Sequence, residues 1–176
     1  RRPVNFRQHE LKMPLKGWYF LKFHWLLREH SFFYTQLKYL NDFDFPKNIK
    51  VTVIPVLNPD GLQKVVGSTD SFTPSDVPSS ESLVTSGRFN SNNVDLNRNF
   101  DCNWKESGVW QTKTVSGGSQ AFSEPESKAI KSYIETNKPV AAVVWYSAGG
   151  GVYASHCHTG VSPTTTTLTK TFANAS

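Results

Sequence analysis

Residues 88–101, RFNSNNVDLNRNFD, are the most informative part of this 176-residue chain. Two arginines and a run of asparagines surround a single hydrophobic pair, Val94 and Leu96. An ordinary strand or helix does not concentrate guanidinium and carboxamide groups at this density. Planar guanidinium groups beside amide donors suit the binding of a carboxylate and a polarised carbonyl. The alternative is an asparagine-rich surface loop with an incidental arginine.

The chain before this stretch shows patterns of several elements. Apolar residues recur at steps of three and four through residues 17–40, which predicts an amphipathic helix packed on a sheet. Residues 50–57 are β-branched and apolar and predict a buried strand, which the turn-forming sequence NPDG at 58–61 ends. Residues 68–87 are rich in Ser, Thr, Pro and Asp and predict a long irregular loop.

The chain after it predicts a helix and then a strand. Ser123 is the expected N-cap, with Pro125 in the first turn and Glu126 as the capping-box acid, so helix capping accounts for the acids here, Glu124 included. The helix should end at the sequence NKP, residues 137–139. Its predicted buried stripe is Ala129, Ile130, Tyr133 and Ile134. Residues 140–146 predict a central strand, and alternation of strands and helices indicates an α/β fold.

The composition limits the classes of partner. Net charge is +5, and the first fifty residues carry ten Lys and Arg against four Asp and Glu. We expect a solvated basic face rather than a nucleic-acid-binding surface, because no basic helix with aromatic platforms accompanies the charge. No apolar run is long enough for a membrane helix, and no signal peptide is visible at the start of the sequence.

The chain resembles the zinc carboxypeptidases of the carboxypeptidase A type, the M14 peptidase family. Residues 88–101 match that family's substrate-binding signature, and three further blocks follow the family's order: IPVLNPDG at 54–61, AFSEPE at 121–126 and VVWYS at 143–147. The resemblance covers about residues 45–175.

The resemblance implies a fold and a domain organisation. The expected fold is a metallocarboxypeptidase-like α/β structure with a mixed β-sheet flanked by helices, truncated at its C-terminal side. Residues 1–44 are then a divergent N-terminal segment containing the aromatic-rich helix. Residues 45–176 are a partial carboxypeptidase-like domain, and the two parts are expected to form one structural domain.

The resemblance also implies roles for single residues. Arg88 matches the arginine that stabilises the developing oxyanion in catalysis. Asn97 and Arg98 match the pair that binds the terminal carboxylate of the substrate, which makes a peptide or protein C-terminus the expected partner. Asp95 is expected to orient the loop through hydrogen bonds, and the hydrophobic pair Val94 and Leu96 to anchor it to the core.

The zinc site of the family is not reproduced in this sequence. The family's His-x-x-Glu motif occurs nowhere in the chain, and Tyr146 occupies the position of the later histidine ligand. A tyrosine oxygen, protonated near neutral pH, is a poor zinc ligand. His156 and His158 would share one face of a strand but have no third ligand. The family's general-base glutamate would lie beyond Ser176. We therefore expect no zinc to be bound by this chain.

The two cysteines follow two signature blocks that converge on one site in the family. The resemblance thus makes a disulfide between Cys102 and Cys157 an open alternative to two separate buried thiols. If it forms, the disulfide favours an extracytoplasmic location.

Three functional hypotheses follow. The first is a partial metallocarboxypeptidase domain, of a family that removes C-terminal residues from peptides with zinc, which itself has little or no hydrolytic activity. The second is a non-catalytic module that binds the free C-terminus of a peptide through Arg88, Asn97 and Arg98. The third is a truncated product without a stable function, because an incomplete sheet exposes edges and apolar surface.

Overall fold

Three parallel strands organise the fold. β1 (Trp18–His24) lies between β2 (Lys50–Ile54) and β5 (Ala141–Tyr146) and pairs with both. The predicted α/β class is confirmed. These three strands are all parallel, whereas we expected a mixed sheet. Parallel strands need long crossover connections, which commonly contain a helix. The computed structural model describes residues 18–24, 44, 46–54, 56–68, 72, 74–146, 151–157 and 160–175.

Strand β1 takes the place of the helix that we predicted over residues 17–40. Its Tyr19 is in register with Val51 on one side and with Ala141 on the other. Aromatic residues favour strands, and a short apolar run cannot be assigned to a helix or a strand by periodicity alone. Residues 25–40 of the predicted helix lie outside the described residues. β1 thus ties the N-terminal segment to the sheet, and the division at residue 44 stays a prediction.

β2 ends at Ile54, earlier than the predicted end at residue 57, and the NPDG sequence begins a helix rather than only a turn. In α1 (Pro59–Val66) the N-cap Asn58 accepts a hydrogen bond from the Gly61 backbone N–H at 2.9 Å. The same carboxamide donates to the Gly87 carbonyl at 2.8 Å. Asn58 therefore fixes both the start of α1 and its position against a distant segment.

The segment at 68–87 is more regular than the irregular loop we predicted. It contains a 3-10 turn (Pro74–Asp76) and a short helix, α2 (Glu81–Ser86). Val84 of α2 packs with Leu62 and Val65 of α1. A helix this short has little stability of its own, so its formation depends on this packing, which the local sequence does not reveal.

A separate antiparallel hairpin follows residues 88–101. It consists of β3 (Ser107–Trp110) and β4 (Lys113–Ser116), with Trp110 paired to Lys113 across the turn. Gln111 in the turn has a φ of 52°. Val115 is buried and anchors the hairpin to the protein.

Helix α3 (Pro125–Asn137) packs on the sheet at β2. Tyr133 donates its hydroxyl hydrogen to Thr52 Oγ1 at 2.8 Å. The helix ends as predicted, with Lys138 in the left-handed region at a φ of 46°. The N-cap position is Glu124 rather than the predicted Ser123, and no side chain caps it. The core here comprises Ile54, Leu57, Leu96 and Ile130.

The predicted buried stripe of α3 is confirmed only in part. Ile130 is buried, Ala129 and Tyr133 are half-buried, and Ile134 is exposed. Strand β5 then forms where predicted, but it lies at one end of the described sheet rather than at its centre, and Val144 is exposed. We inferred the central position of β5 from its apolar sequence, but an apolar run does not indicate how many strands lie beside it.

The C-terminal part is tied back by a disulfide. Cys102 and Cys157 are bonded, with their Cα atoms 5.3 Å apart, which confirms the pairing implied by the family resemblance. Helix α4 (Pro163–Ala175) follows. Within the described parts of the chain, no helix is both long and apolar enough to span a membrane.

Candidate functional site

The loop at 88–101 is anchored by its two apolar residues. Leu96 is fully buried in the core cluster, and Val94 is buried beside β4, where it forms a bridge with Ser116. The expectation that these two residues fix the loop is therefore confirmed. Burial of two aliphatic side chains opposes loop mobility, because exposing them to water costs about 2 kcal/mol each.

The asparagines before Val94 form a hydrogen-bonded turn. The side-chain oxygen of Asn90 accepts from the backbone N–H groups of Asn92 and Val94 at 3.1 and 3.0 Å. Asn93 has a φ of 59°, a left-handed conformation that asparagine tolerates better than most residues. The run of asparagines thus has a structural function that sequence reasoning assigned instead to substrate binding.

Asp95 is the centre of the loop. Its fully buried side chain accepts from Arg88 through Oδ2, with Nε at 2.9 Å and Nη2 at 2.8 Å. Its Oδ1 accepts the backbone N–H of Asn97 at 3.1 Å. Asp95 therefore orients the loop as predicted, and it does so by fixing an arginine and the backbone at once.

Arg98, which follows Asp95 in the sequence, approaches the same carboxylate. Its Nε lies 3.5 Å from Asp95 Oδ2, and its Nη2 donates to the Val109 carbonyl in β3. The guanidinium also packs on Gly108, where an added Cβ would come within 2.7 Å of Nη1. The side chain is 36% exposed, against 11% for Arg88, so Arg98 is the more accessible of the two arginines.

The three predicted site residues therefore meet at Asp95 in different ways. Arg88 and Arg98 approach it with their guanidinium groups, whereas Asn97 binds it through the backbone. The side-chain oxygen of Asn97 is buried and has no hydrogen-bond partner among the described residues. Two positive charges share one negative charge here, which leaves a local excess of positive charge suited to an anion.

Two buried glutamates accept hydrogen bonds from the loop. Sequence reasoning wrongly explained them as helix-capping residues. Glu124 Oε2 accepts from the side-chain amides of Asn90 and Asn92, each at 2.7 Å. Glu126 Oε2 accepts from Asn90 at 3.3 Å. Both glutamates are at least 95% buried. A capping pattern in the sequence does not reveal that the acids bind a segment more than thirty residues away.

The same environment shifts the two carboxyl groups in opposite directions. Burial raises the pKa of Glu126, and the nearby charges of Asp60 and Glu124 add to the increase. Burial also acts to raise the pKa of Glu124, but hydrogen bonds from Asn90, Asn92 and Ser123 outweigh it and hold that pKa below its ordinary value. The environment therefore moves the pKa values of the two neighbouring carboxyl groups apart.

Asn99 is a second support that sequence reasoning missed. It is fully buried, and its Nδ2 donates to the Gly117 carbonyl at 2.7 Å and to Ser123 Oγ at 2.8 Å. Its Oδ1 accepts from the Glu124 backbone N–H at 3.0 Å. This carboxamide connects the loop, the end of the hairpin and the start of α3. The only signal in the sequence was the unusual density of asparagines.

The described residues do not provide a zinc site. Within them, no three His, Cys, Asp or Glu residues are grouped in a way that could hold a metal ion. Tyr146, for which the family resemblance predicts the position of a histidine ligand, ends β5 in register with His24 at the end of β1. His156 is exposed in a segment without a strand, and His158 lies outside the described residues. Within the described residues, the available donors therefore do not make up the four-ligand set that zinc prefers.

Comparisons with known proteins agree with the motifs. The family model described as zinc carboxypeptidase matches residues 37–175. A carboxypeptidase A from Helicoverpa armigera is similar in structure, with a TM-score of 0.56 and 21% identity over 87% of this chain and 39% of that one. The murein-tripeptide amidase MpaA from Escherichia coli O157 matches with a TM-score of 0.46 and 26% identity, over 73% of this chain and 48% of that one. No curated protein sequence matches.

Proposed function

Because the chain belongs to the zinc carboxypeptidase family, we propose that its loop at 88–98 binds the free C-terminal carboxylate of a peptide or protein. In this proposal Asn97 and Arg98 bind the carboxylate, and Arg88 lies beside the carbonyl of the last peptide bond. The observation that carries the proposal is the approach of two guanidinium groups to the single carboxylate of Asp95.

The geometry around Asp95 supports this assignment. A guanidinium has more N–H donors than Asp95 uses, since Arg88 contacts it only through Nε and Nη2. Asp95 also compensates only one of the two positive charges. A second carboxylate near Arg98 would restore neutrality and accept hydrogen bonds from the remaining donors. Such charge-assisted hydrogen bonds are stronger than hydrogen bonds between neutral groups.

The test compares a peptide with a free C-terminus and the same peptide with an amidated C-terminus. We expect calorimetry to show binding of the free acid at least about tenfold tighter, because a hydrogen bond to a charged group contributes about 1.5–3 kcal/mol. Arg98→Gln should abolish this preference. Lys105→Gln removes the same charge from an exposed residue and should leave the preference intact. Equal affinity for the two peptides would overturn the proposal.

For hydrolysis we propose that the 176-residue chain has little or no activity of its own. The sequence contains no His-x-x-Glu motif, and Tyr146 stands where the family has a histidine. In the family zinc activates water and polarises the scissile carbonyl, and loss of even one ligand usually removes the affinity for the metal. Release of C-terminal amino acids by the purified chain, dependent on added zinc and abolished by a chelator, would contradict this.

A further inference from the structure

Strand β3 contacts both arginines of the loop. The ring of Trp110 lies against the Arg88 guanidinium, with Cζ 4.3 Å from the ring centroid. Two residues earlier, Gly108 packs on the Arg98 guanidinium, and the carbonyl of Val109 accepts a hydrogen bond from it. One short strand thus contacts the two side chains that the proposed function assigns to peptide binding.

We propose that Trp110 is a positioning residue, which sets the orientation of Arg88 for a bound peptide, and that β3 is the element that holds both arginines in place. This inference rests on the proposed function for its biological meaning. The positioning itself is a property of the unliganded protein and can be measured without a peptide.

The contact between Trp110 and Arg88 restricts the guanidinium without using its donors. Asp95 holds Arg88 through hydrogen bonds at Nε and Nη2, whereas the indole acts through its π-face. A cation–π contact consumes no N–H group, so the other donors stay available for a ligand. Asp95 alone, contacting the guanidinium at a single oxygen, would leave it free to pivot about that oxygen.

Trp110 is itself held by the loop that it supports. The ring of Phe89 meets it edge to face, with centroids 6.4 Å apart and an angle of 83° between the planes. Such aromatic pairs contribute about 0.5–1.5 kcal/mol beyond the area they bury. Phe89 also forms a bridge with Asp95, so the indole is tied to the residue that pairs with Arg88.

The base of the hairpin is bonded to the same loop. The backbone N–H of Asp95 donates to the Ser116 carbonyl in β4 at 2.9 Å, and Gly117 donates to Glu106 across the open end of the hairpin at 2.7 Å. Hairpin and loop are therefore joined at the base through Ser116 and near the turn through Trp110. We expect β3 and the two arginines to move as one unit.

The test uses substitutions of Trp110 that separate the π-face from the packing volume. Trp110→Leu keeps an apolar side chain and removes the ring, whereas Trp110→Phe keeps a smaller ring. We expect the affinity for a free-acid peptide to fall about tenfold for Trp110→Leu and about threefold for Trp110→Phe, with a similar fall for the amidated peptide, because Arg88 lies beside a carbonyl that both peptides contain. Thr114→Ala, at an exposed position of the same hairpin, is the control and should behave as wild type.

A second readout does not depend on any ligand. In the unliganded protein the Arg88 Nε–H signal in NMR should show an upfield ring-current shift and slow exchange with water. The upfield shift should be lost and the exchange should be faster in Trp110→Leu, where only the hydrogen bond to Asp95 still protects the Nε–H, and both should be kept in Thr114→Ala. If these signals are the same in wild type and Trp110→Leu, or if Trp110→Leu leaves the affinity for both peptides unchanged, Trp110 is not a positioning residue. If wild type fails to distinguish the peptides, the proposed function is wrong, and the Arg88 signals alone decide whether the positioning is correct.

Discussion

Asp95 is a single buried carboxylate on which two guanidinium groups and a backbone amide depend. Because its side chain is fully buried and that of Arg88 is only 11% exposed, neither group is well solvated. The contribution of this ion pair to stability is therefore seen when one partner is removed, because the remaining charge is left in a poorly hydrated environment.

We predict that Asp95→Asn lowers the free energy of unfolding by about 3 kcal/mol, because it keeps the shape but leaves Arg88 without its counter-charge. Urea denaturation at neutral pH measures this. The matched control is Glu135→Gln, which breaks the exposed pair with Lys131 and should cost less than about 0.5 kcal/mol. Similar effects of the two substitutions would show that the buried pair does not stabilise the loop.

The pair of buried glutamates predicts opposite pH dependences. The pKa of Glu126 is raised above its ordinary value of 4.5, so the stability it contributes is complete below that value and is lost as pH rises through the raised pKa. Glu126→Gln cannot ionise, and its amide oxygen can still accept from Asn90. We expect this variant to gain stability relative to wild type as the pH rises above 4.5, measured by urea denaturation at each pH.

The neighbouring acid provides the internal comparison. The pKa of Glu124 is held below its ordinary value, so its charged form contributes stability above 4.5 that is lost as pH falls through the lowered pKa. Glu124→Gln should therefore cost more at neutral pH than in acid. Parallel pH profiles for the two variants would refute the opposite shifts of the two pKa values.

At the scale of elements, α1 depends on the absence of a side chain at Gly61. A Cβ there would lie 1.9 Å from the Gly87 carbonyl oxygen, at the place where Asn58 binds the same oxygen. We predict that Gly61→Ala destabilises the protein by about 2 kcal/mol or more, because backbone must shift. Gly67→Ala has open space but a φ of 75° and should cost only about 1 kcal/mol. Thermal denaturation ranks the two, and the reverse order would contradict the packing at Gly61.

The elements also show which features a sequence can predict. β5 and the end of α3 carry strong local signals and form where expected, and β2 begins where expected but ends three residues early. β1 and α2 depend on neighbours that are distant in sequence, so local periodicity assigned them wrongly. At the candidate site, the family motif predicted Arg88, Asn97 and Arg98, and their roles stay a prediction. The contacts of these residues with Asp95 and β3, and the support from Glu124 and Asn99, follow from tertiary structure alone.

At the scale of the molecule, the Cys102–Cys157 disulfide connects residues 55 apart in sequence. Closing a loop of this length removes enough entropy from the unfolded chain to stabilise the fold by about 4 kcal/mol in the chain-entropy model. We predict a loss of about this size in the double variant Cys102→Ser, Cys157→Ser, measured by urea denaturation. Wild type kept reduced should lose the same amount. An unchanged free energy of unfolding would mean that native strain cancels the entropic gain.

The order of strands has a consequence for biosynthesis. β1 is the middle strand of the three but leaves the ribosome before both of its neighbours, and β5 is made last. β2 can pair with one edge of β1 soon afterwards, but the edge that pairs with β5 stays open until residue 146 has been translated, and an unpaired edge of this kind invites association between nascent chains. The yield of native protein in the cell should therefore depend on chaperones that cover β1 in the interval.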